Sequence, residues 1–452
     1  MAMRLSSLLL LLKLSASMSI PTFMAAGTDE EAALLAFKAA AISEGDQRVV
    51  ALSLSSRGFT GVLSPAVGNL SSLRRLNLSF NGFGGDIRAS IGRLRHLQVL
   101  DLSRNTFSGE FPVNLTSCIN LTTIFLRYNQ LHGHVSFEIG DKLTGLSVLS
   151  LDNNNFTGAI QESLSNLSSL TNLEFAFNQL EGDIPSSLGN IRSIQYLTLA
   201  FNDLSGEPPL SLYNLSSLQW LQLQGNMLHG GIPADIGNRL PHILILGFFS
   251  NHFTGPIPAS LSNLTRLGRL HVLVHLGLSY NRLEADDGEG WEFLTSLSNC
   301  TQLDFLDFSS NAAFNGQLPS SIANLSTNLQ TLSFCDTGIS GSIPSSIGNL
   351  VRLQIFRGQN TSISGVIPEN IGRLGNLTEL LLFNTYLSEQ IPSFIGNLSN
   401  LIHLDAHHAN LEGPIPASIG KMKNLNILDL SQNRLNGSIP EDISDYHSFL
   451  YA

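Results

Sequence analysis

Leu218-x-x-Leu221-x-Leu223-x-x-Asn226-x-Leu228-x-Gly230 recurs, with small changes, about every 24 residues along the chain. Aligned on the residue that closes each such turn, the register positions are Arg57, Asn81, Asn105, Asn129, Asn154, Asn178, Asn202, Asn226, Asn251, Asn281, Asn311, Thr337, Thr361, Thr385, Ala409 and Asn433. These are sixteen repeats, eleven of them with Asn in place. A unit this short cannot bury its own apolar face, so each must stack on its neighbours and share one continuous core. The whole length therefore reads as one solenoid, divided into a secretory leader (1–26), a shortened N-terminal cap (27–48), the repeats (49–442) and a tail without a full cap (443–452).

Within a repeat, Leu218, Leu221 and Leu223 point inward and make a short strand, and successive strands pair in parallel. The Asn226 amide faces backbone groups of a turn that has no ladder partner, so stacked asparagines form a hydrogen-bonded ladder. Gly230 permits the next bend, and Ile232-Pro233, like Ile184-Pro185, Ile343-Pro344 and Ile415-Pro416, keeps the following segment extended without needing a donor. The remainder, such as Leu188-Gly189-Asn190-Ile191, suits an irregular or 3₁₀ turn on an outer wall. From Thr337 to Ala409 the asparagine is lost, which predicts a looser or differently satisfied stretch.

The full pattern, Leu-x-x-Leu-x-Leu-x-x-Asn-x-Leu-x-Gly-x-Ile-Pro-x-x-Leu-Gly-x-Leu, resembles the plant-type leucine-rich repeat over most of the chain. That resemblance implies an α/β solenoid: a curved, superhelically twisted, right-handed stack with parallel inner strands. Asp29-Glu30-Glu31-Ala32-Ala33-Leu34-Leu35-Ala36-Phe37-Lys38 resembles the opening of plant leucine-rich-repeat receptor-kinase ectodomains. Gly288-Glu289-Gly290-Trp291-Glu292-Phe293-Leu294 is similar to a stretch in their grass immune-receptor relatives. Those receptors carry a Trp and a Cys pair in the N-terminal cap, whereas here Ala39 runs to Arg48 with neither. No apolar run of about 20 residues stands near Ala452, as a transmembrane helix needs, and no Val-Ala-Ile-Lys or Asp-Phe-Gly kinase signature is present. A receptor-like chain ending inside its sixteenth repeat is expected to receive a signal without transmitting one.

Residues 1–26 offer Arg4, a leucine run from Leu8 to Leu12 and small residues at Ala25-Ala26, which fits a secretory signal, although Lys13 interrupts the apolar core. Fourteen Asn-x-Ser/Thr sequons support export to an extracellular or plasma-membrane-associated setting: Asn69, Asn77, Asn114, Asn120, Asn155, Asn166, Asn214, Asn263, Asn299, Asn324, Asn360, Asn376, Asn397 and Asn436. Many fall at one place in the repeat, so the consensus itself also generates them. Of three cysteines, Cys118 and Cys300 stand at apolar outer-wall positions, while Cys335 is expected on the concave side as a free thiol. No disulfide is expected. A net charge of −11 with 13% charged residues excludes a nucleic-acid partner, which wants a clustered basic stripe.

Register spacing widens to 30 residues on both sides of Asn281, and Asn311 to Thr337 is 26. The first extra length lies in 265–271 and the second in the acidic loop Glu284 to Gly290, which lacks the spacing of a calcium loop and reads as solvated. Function must sit on residues the repeat does not need, the outward ones of the inner strands. Sixteen strands about 4.8 Å apart line an arc on the order of 75 Å, enough for an extended peptide. Along it stand Arg104, Phe125, Arg127, Tyr128, Tyr196, Trp220, Gln222, Gln224 and Phe249, side-chain types that dominate buried interfaces. His403, Asp405, His407 and His408, flanked by Glu379 and Asp429, form a second constellation that reads as a pH-responsive patch, since outward neighbours on one strand lie about 7 Å apart, wide for two ligands of one metal ion.

No nucleophile elbow, metal-ligand helix or phosphate loop is present, so neither an enzyme nor a cofactor is expected. The resemblance implies an extracellular recognition protein binding a peptide or protein ligand in defence or developmental signalling, with a receptor kinase or co-receptor ectodomain as a further partner. The alternatives are a secreted inhibitor of cell-wall-degrading enzymes and a truncated, non-signalling receptor relative.

Overall fold

The period-two leucines put one edge of every repeat into a single parallel sheet. A computed structural model describes residues 49–264, 273–285, 289–441 and 450–451. The expected leader, the cap, the widened turn at 265–271 and nearly all of the tail lie outside the described residues. Among the described residues the inner sheet has seventeen strands of two or three residues, including Leu450–Tyr451, and pairs consecutive repeats in register, as in Leu197↔Leu221↔Leu246. Leu218, Leu221 and Leu223 are wholly buried. Each such side chain contributes about 1.5–3 kcal/mol only when a neighbouring layer covers it, so the core runs unbroken from Leu52 to Leu430.

The asparagine ladder forms. Asn226 Nδ2 donates to Leu223 O of its own repeat at 2.9 Å and to Leu199 O of the preceding one at 3.1 Å, while its Oδ1 accepts from Leu204 N at 3.1 Å. The same set recurs at Asn105, Asn154, Asn202 and Asn251. Thr337, Thr361 and Thr385 keep the intra-repeat bond, each hydroxyl donating to the carbonyl three residues back, but a hydroxyl is too short to span to the next layer as the amide does. Ala409 offers no side-chain bond, and the ladder resumes at Asn433, whose Oδ1 accepts from Ala409 N and Leu411 N at 3.1 and 2.9 Å, as Asn81 Oδ1 does from Arg57 N and Phe59 N.

After each register residue the chain makes a second short strand, and these pair in parallel into five small sheets of two to four strands, for example Gln179–Asp183 beside Asp203–Ser205. This second line extends the segment expected only to bend. The outer wall is mostly 3₁₀, as at Ser186–Asn190 and Ser345–Asn349, with Pro185 and Pro344 extended just before it. Short α-helices replace it at Glu138–Lys142, Ile236–Arg239 and Glu292–Leu297. No helix among the described residues is long and apolar enough to cross a membrane.

The Trp291-Glu292-Phe293 stretch has a packing role. Trp291 and Phe293 are buried and lie 5.8 and 6.1 Å from the Phe314 ring, beside Phe308. Residues 286–288 of the acidic loop lie outside the described residues.

Cys118 and Cys300 are buried as expected, and burial pushes both thiols up to about 11. Cys335 is a free thiol as expected, but a buried one. It is only 8% exposed, with its sulfur 3.8 Å from Ser333 Oγ, and burial drives the thiol up to about 12. A thiol held neutral in this way is a poor nucleophile.

Candidate functional site

Because the inner strands stack in register, equivalent residues form lanes across the concave face. The first strand position gives Asn172, Tyr196, Trp220, Ile245, His275 and Phe305. The third gives Phe125, Ser150, Glu174, Thr198 and Gln222. Two residues further lie Arg127, Asp152, Ala176, Ala200, Gln224 and Phe249. The next residue, just before the register position, has left-handed φ in repeat after repeat: 52° at Arg104, 56° at Tyr128, 56° at Phe177 and 55° at Phe201. That turn aims its side chain along the rim of the concave face.

These lanes bring the singled-out residues together in two groups. Arg104 lies 4.1 Å from the Tyr128 ring centre and 5.1 Å from that of Phe80, and Arg127 lies 5.5 Å from that of Phe125. Tyr196 meets Trp220 edge-on at 5.1 Å, and Phe201 stacks on Phe177 at 4.4 Å while touching Phe249 at 6.0 Å. Between the groups opens a cavity of about 590 Å3 lined by Arg127, Tyr128, Tyr196, Trp220, Gln222 and Gln224, together with Asp152, Asn153, Asn172, Glu174, Phe177 and Phe201. Arg104, Phe125 and Phe249 flank it without lining it. The second set of lining residues was missed in the sequence, although each occupies one of the lanes already read.

The floor of the cavity is polar. Glu174 Oε1 accepts from Asn172 Nδ2 at 3.0 Å, and its other oxygen lies 4.0 Å from Arg127 Nη1. Asp152 Oδ1 accepts from Ala176 N at 2.6 Å. Burial, and then the negative charge of Glu174, push the Asp152 carboxyl up to about 8. An acid raised in the fold but ordinary in the unfolded chain contributes stability below about pH 4, and that contribution is lost as pH rises through 8. Asp152→Asn keeps the acceptor for Ala176 N and removes the titration. Its melting temperature should therefore gain on wild type progressively from pH 5 to 8.5, as scanning calorimetry would show, and parallel curves would contradict this.

Further along the first lane, His275 stacks on Phe305 at 3.9 Å, and burial pulls its imidazole down to about 4. The sign here is opposite, since its contribution is lost as pH falls from about 6.5 towards 4.

The histidine constellation assembles differently from expectation. His407 Nδ1 lies 2.7 Å from Asp405 Oδ1 and 3.8 Å from Asp429 Oδ2, with its ring stacked on Phe383 at 4.6 Å. His403 and His408 stand apart from this triad, and Glu379 pairs with Arg357 instead. The Asp405, His407 and Asp429 ligand atoms fall within 4.8 Å of one another.

A profile of the leucine-rich repeat region matches residues 47–288, and single leucine-rich repeats match residues 328–350 and 424–446. The chain belongs to the leucine-rich-repeat family. A segment of 86 residues is 48% identical to LRR receptor-like serine/threonine-protein kinase EFR of Arabidopsis thaliana, and one of 87 residues is 44% identical to Receptor kinase-like protein Xa21 of Oryza sativa subsp. japonica. Each match takes in 19% of this chain and 8% of the relative. Among solved structures, the plant peptide hormone receptor RGFR1 in complex with RGF2 aligns with a TM-score of 0.73 at 33% identity, over 87% of this chain and 65% of that one. This leucine-rich-repeat chain is thus similar to the ectodomains of plant receptor kinases, as its motifs implied.

Proposed function

We propose that this leucine-rich-repeat chain recognises an extended peptide or protein segment on its concave face, as the ligand-binding part of a plant receptor-kinase-like protein exposed to the extracellular space. The observation that carries the reading is the convergence of Arg127, Tyr128, Tyr196 and Trp220, none of them required by the repeat, around one cavity. Aromatic and Arg side chains held half-open on rigid strands are the kind that become binding hot spots. The similarity to a receptor solved in complex with RGF2 supports a peptide ligand, and a receptor kinase or co-receptor ectodomain is the partner class this implies. Exposed sequons at Asn69, Asn166, Asn214, Asn324 and Asn397 agree with an extracellular setting. Defence or developmental signalling is the process we assign to such recognition.

The test is selection of a displayed library of unbiased 12-residue peptides on the secreted protein. Selected peptides should lose roughly 30-fold in affinity for Trp220→Ala, about 2 kcal/mol, with a smaller loss for Arg127→Ala. Phe394→Ala, which alters an exposed side chain of the outer wall, should bind as wild type does. Binders indifferent to Trp220 and Arg127 would overturn the reading.

A further inference from the structure

The cavity holds two carboxyl groups and one cation. Asp152 and Glu174 both line it, whereas Arg127 is the single basic side chain in its wall, half-exposed and only 4.0 Å from Glu174 at its nearest. Gln224, 3% exposed, also lines the cavity and leaves its Oε1 without a hydrogen-bond partner. The walls are the faces and edges of Tyr196, Trp220, Phe177 and Phe201. Aromatic faces attract cations and offer nothing comparable to an anion.

We propose that the cavity takes a cationic group of the ligand, either a lysine or arginine side chain or a peptide N-terminal ammonium, between its aromatic walls and the Asp152 and Glu174 carboxylates. This rests on the concave face being the ligand site, and it adds the chemistry of the anchoring group. The cation supplies a countercharge to Glu174, and to Asp152 once it ionises. It also opposes what holds the Asp152 carboxyl protonated, namely burial and the neighbouring Glu174. The charged and titratable groups facing Asp152 are Glu174 from the following strand and Arg127 with Tyr128 from the preceding one. Binding therefore releases a proton from Asp152 and tightens as pH rises towards 8, by up to about tenfold per pH unit for one linked proton.

The experiment uses the full secreted chain labelled with 5-fluorotryptophan, whose two signals come from Trp220 and Trp291. Titration with N-acetyl-arginine amide should move the Trp220 resonance saturably. The uncharged isostere N-acetyl-citrulline amide should leave it in place, and the Trp291 signal should stay fixed throughout. Glycine amide shifting Trp220 as strongly as the arginine probe would assign the anchor to a peptide N-terminus rather than a side chain. The Asp152→Asn, Glu174→Gln double variant should lose at least tenfold in arginine-probe affinity while keeping the wild-type Trp291 resonance, which reports its folding. Equal responses to arginine and citrulline probes, or an unchanged double variant, would overturn the proposal. Failure of the wider reading is separable. Trp220-dependent peptides selected without any basic residue or free N-terminus would leave concave-face recognition standing and remove the cationic anchor. A selection yielding no Trp220-dependent peptide would remove the wider reading, while the fluorine titration still decides what the cavity takes.

Discussion

Asn226→Ala should cost about 2–6 kcal/mol: about 1–3 for the buried Leu204 N left without an acceptor, and about 0.5–1.5 for each bond lost at Leu199 O and Leu223 O, which keep Asn202 Nδ2 and Asn251 Nδ2 as second donors. The groups are Leu199 O, Leu223 O and Leu204 N, and two of the three belong to the preceding repeat. The loss is therefore one of coupling between layers. In a stack stabilised by nearest-neighbour interfaces, weakening one interface lets the array open there. Urea unfolding should show an early transition, and limited proteolysis should cut near this layer. Thr337→Ala removes a single intra-repeat bond to Phe334 O and should cost only about 1 kcal/mol. Equal effects at the two positions would mean that the ladder does not join the layers.

Gly237→Ala should be comparably damaging for a different reason. A Cβ at this position would sit 1.9 Å from Ser260 O and 2.5 Å from Ser260 C, both backbone atoms of the next outer-wall turn. Overpacking typically costs about 1–3 kcal/mol and more where backbone must move. Here both backbones are held by layers on either side, so we expect at least 3 kcal/mol, on the order of the upper end. Gly140 meets Ser163 O at the same 1.9 Å and should respond alike. Gly375, with nothing within 4 Å of an added Cβ, is the control, and Gly375→Ala should stay within about 0.5 kcal/mol of wild type. A benign Gly237→Ala in thermal unfolding would show that the outer wall can open without cost.

The stacking was legible because every repeat states it again. Leu221 and Leu223 announce the strand, Asn226 the ladder and Ile232-Pro233 the extended return. The second line of strands was not legible, since Leu228-x-Gly230 is too short to show any period. Tyr213 was also hidden. It stands where Gly189 and Gly237 stand in neighbouring repeats, yet its ring is buried and its hydroxyl has no partner. Only the packing of three successive layers reveals that room exists for it.

The candidate site divides in the same way. Trp220, Tyr196 and Arg127 were readable as residues the repeat does not require. Phe177 and Phe201 hold the same place before the register asparagine as Arg104 and Tyr128, so the same signal was there to be read. They come into play because left-handed backbone carries them to the rim. Asp152 reads as one polar residue in Asp152-Asn153-Asn154. Its raised carboxyl depends on Glu174, one repeat away, and on burial, neither of which a single repeat contains.

Amide hydrogen exchange of the purified chain, with and without a selected peptide, asks where the ligand lies. Protection should gather in the turns at 127–129, 152–154, 176–178, 200–202 and 224–226, which border the cavity, and leave the outer-wall turns unchanged. Protection centred on the outer wall, or confined to the last repeats with these turns unaffected, would contradict recognition on the concave face.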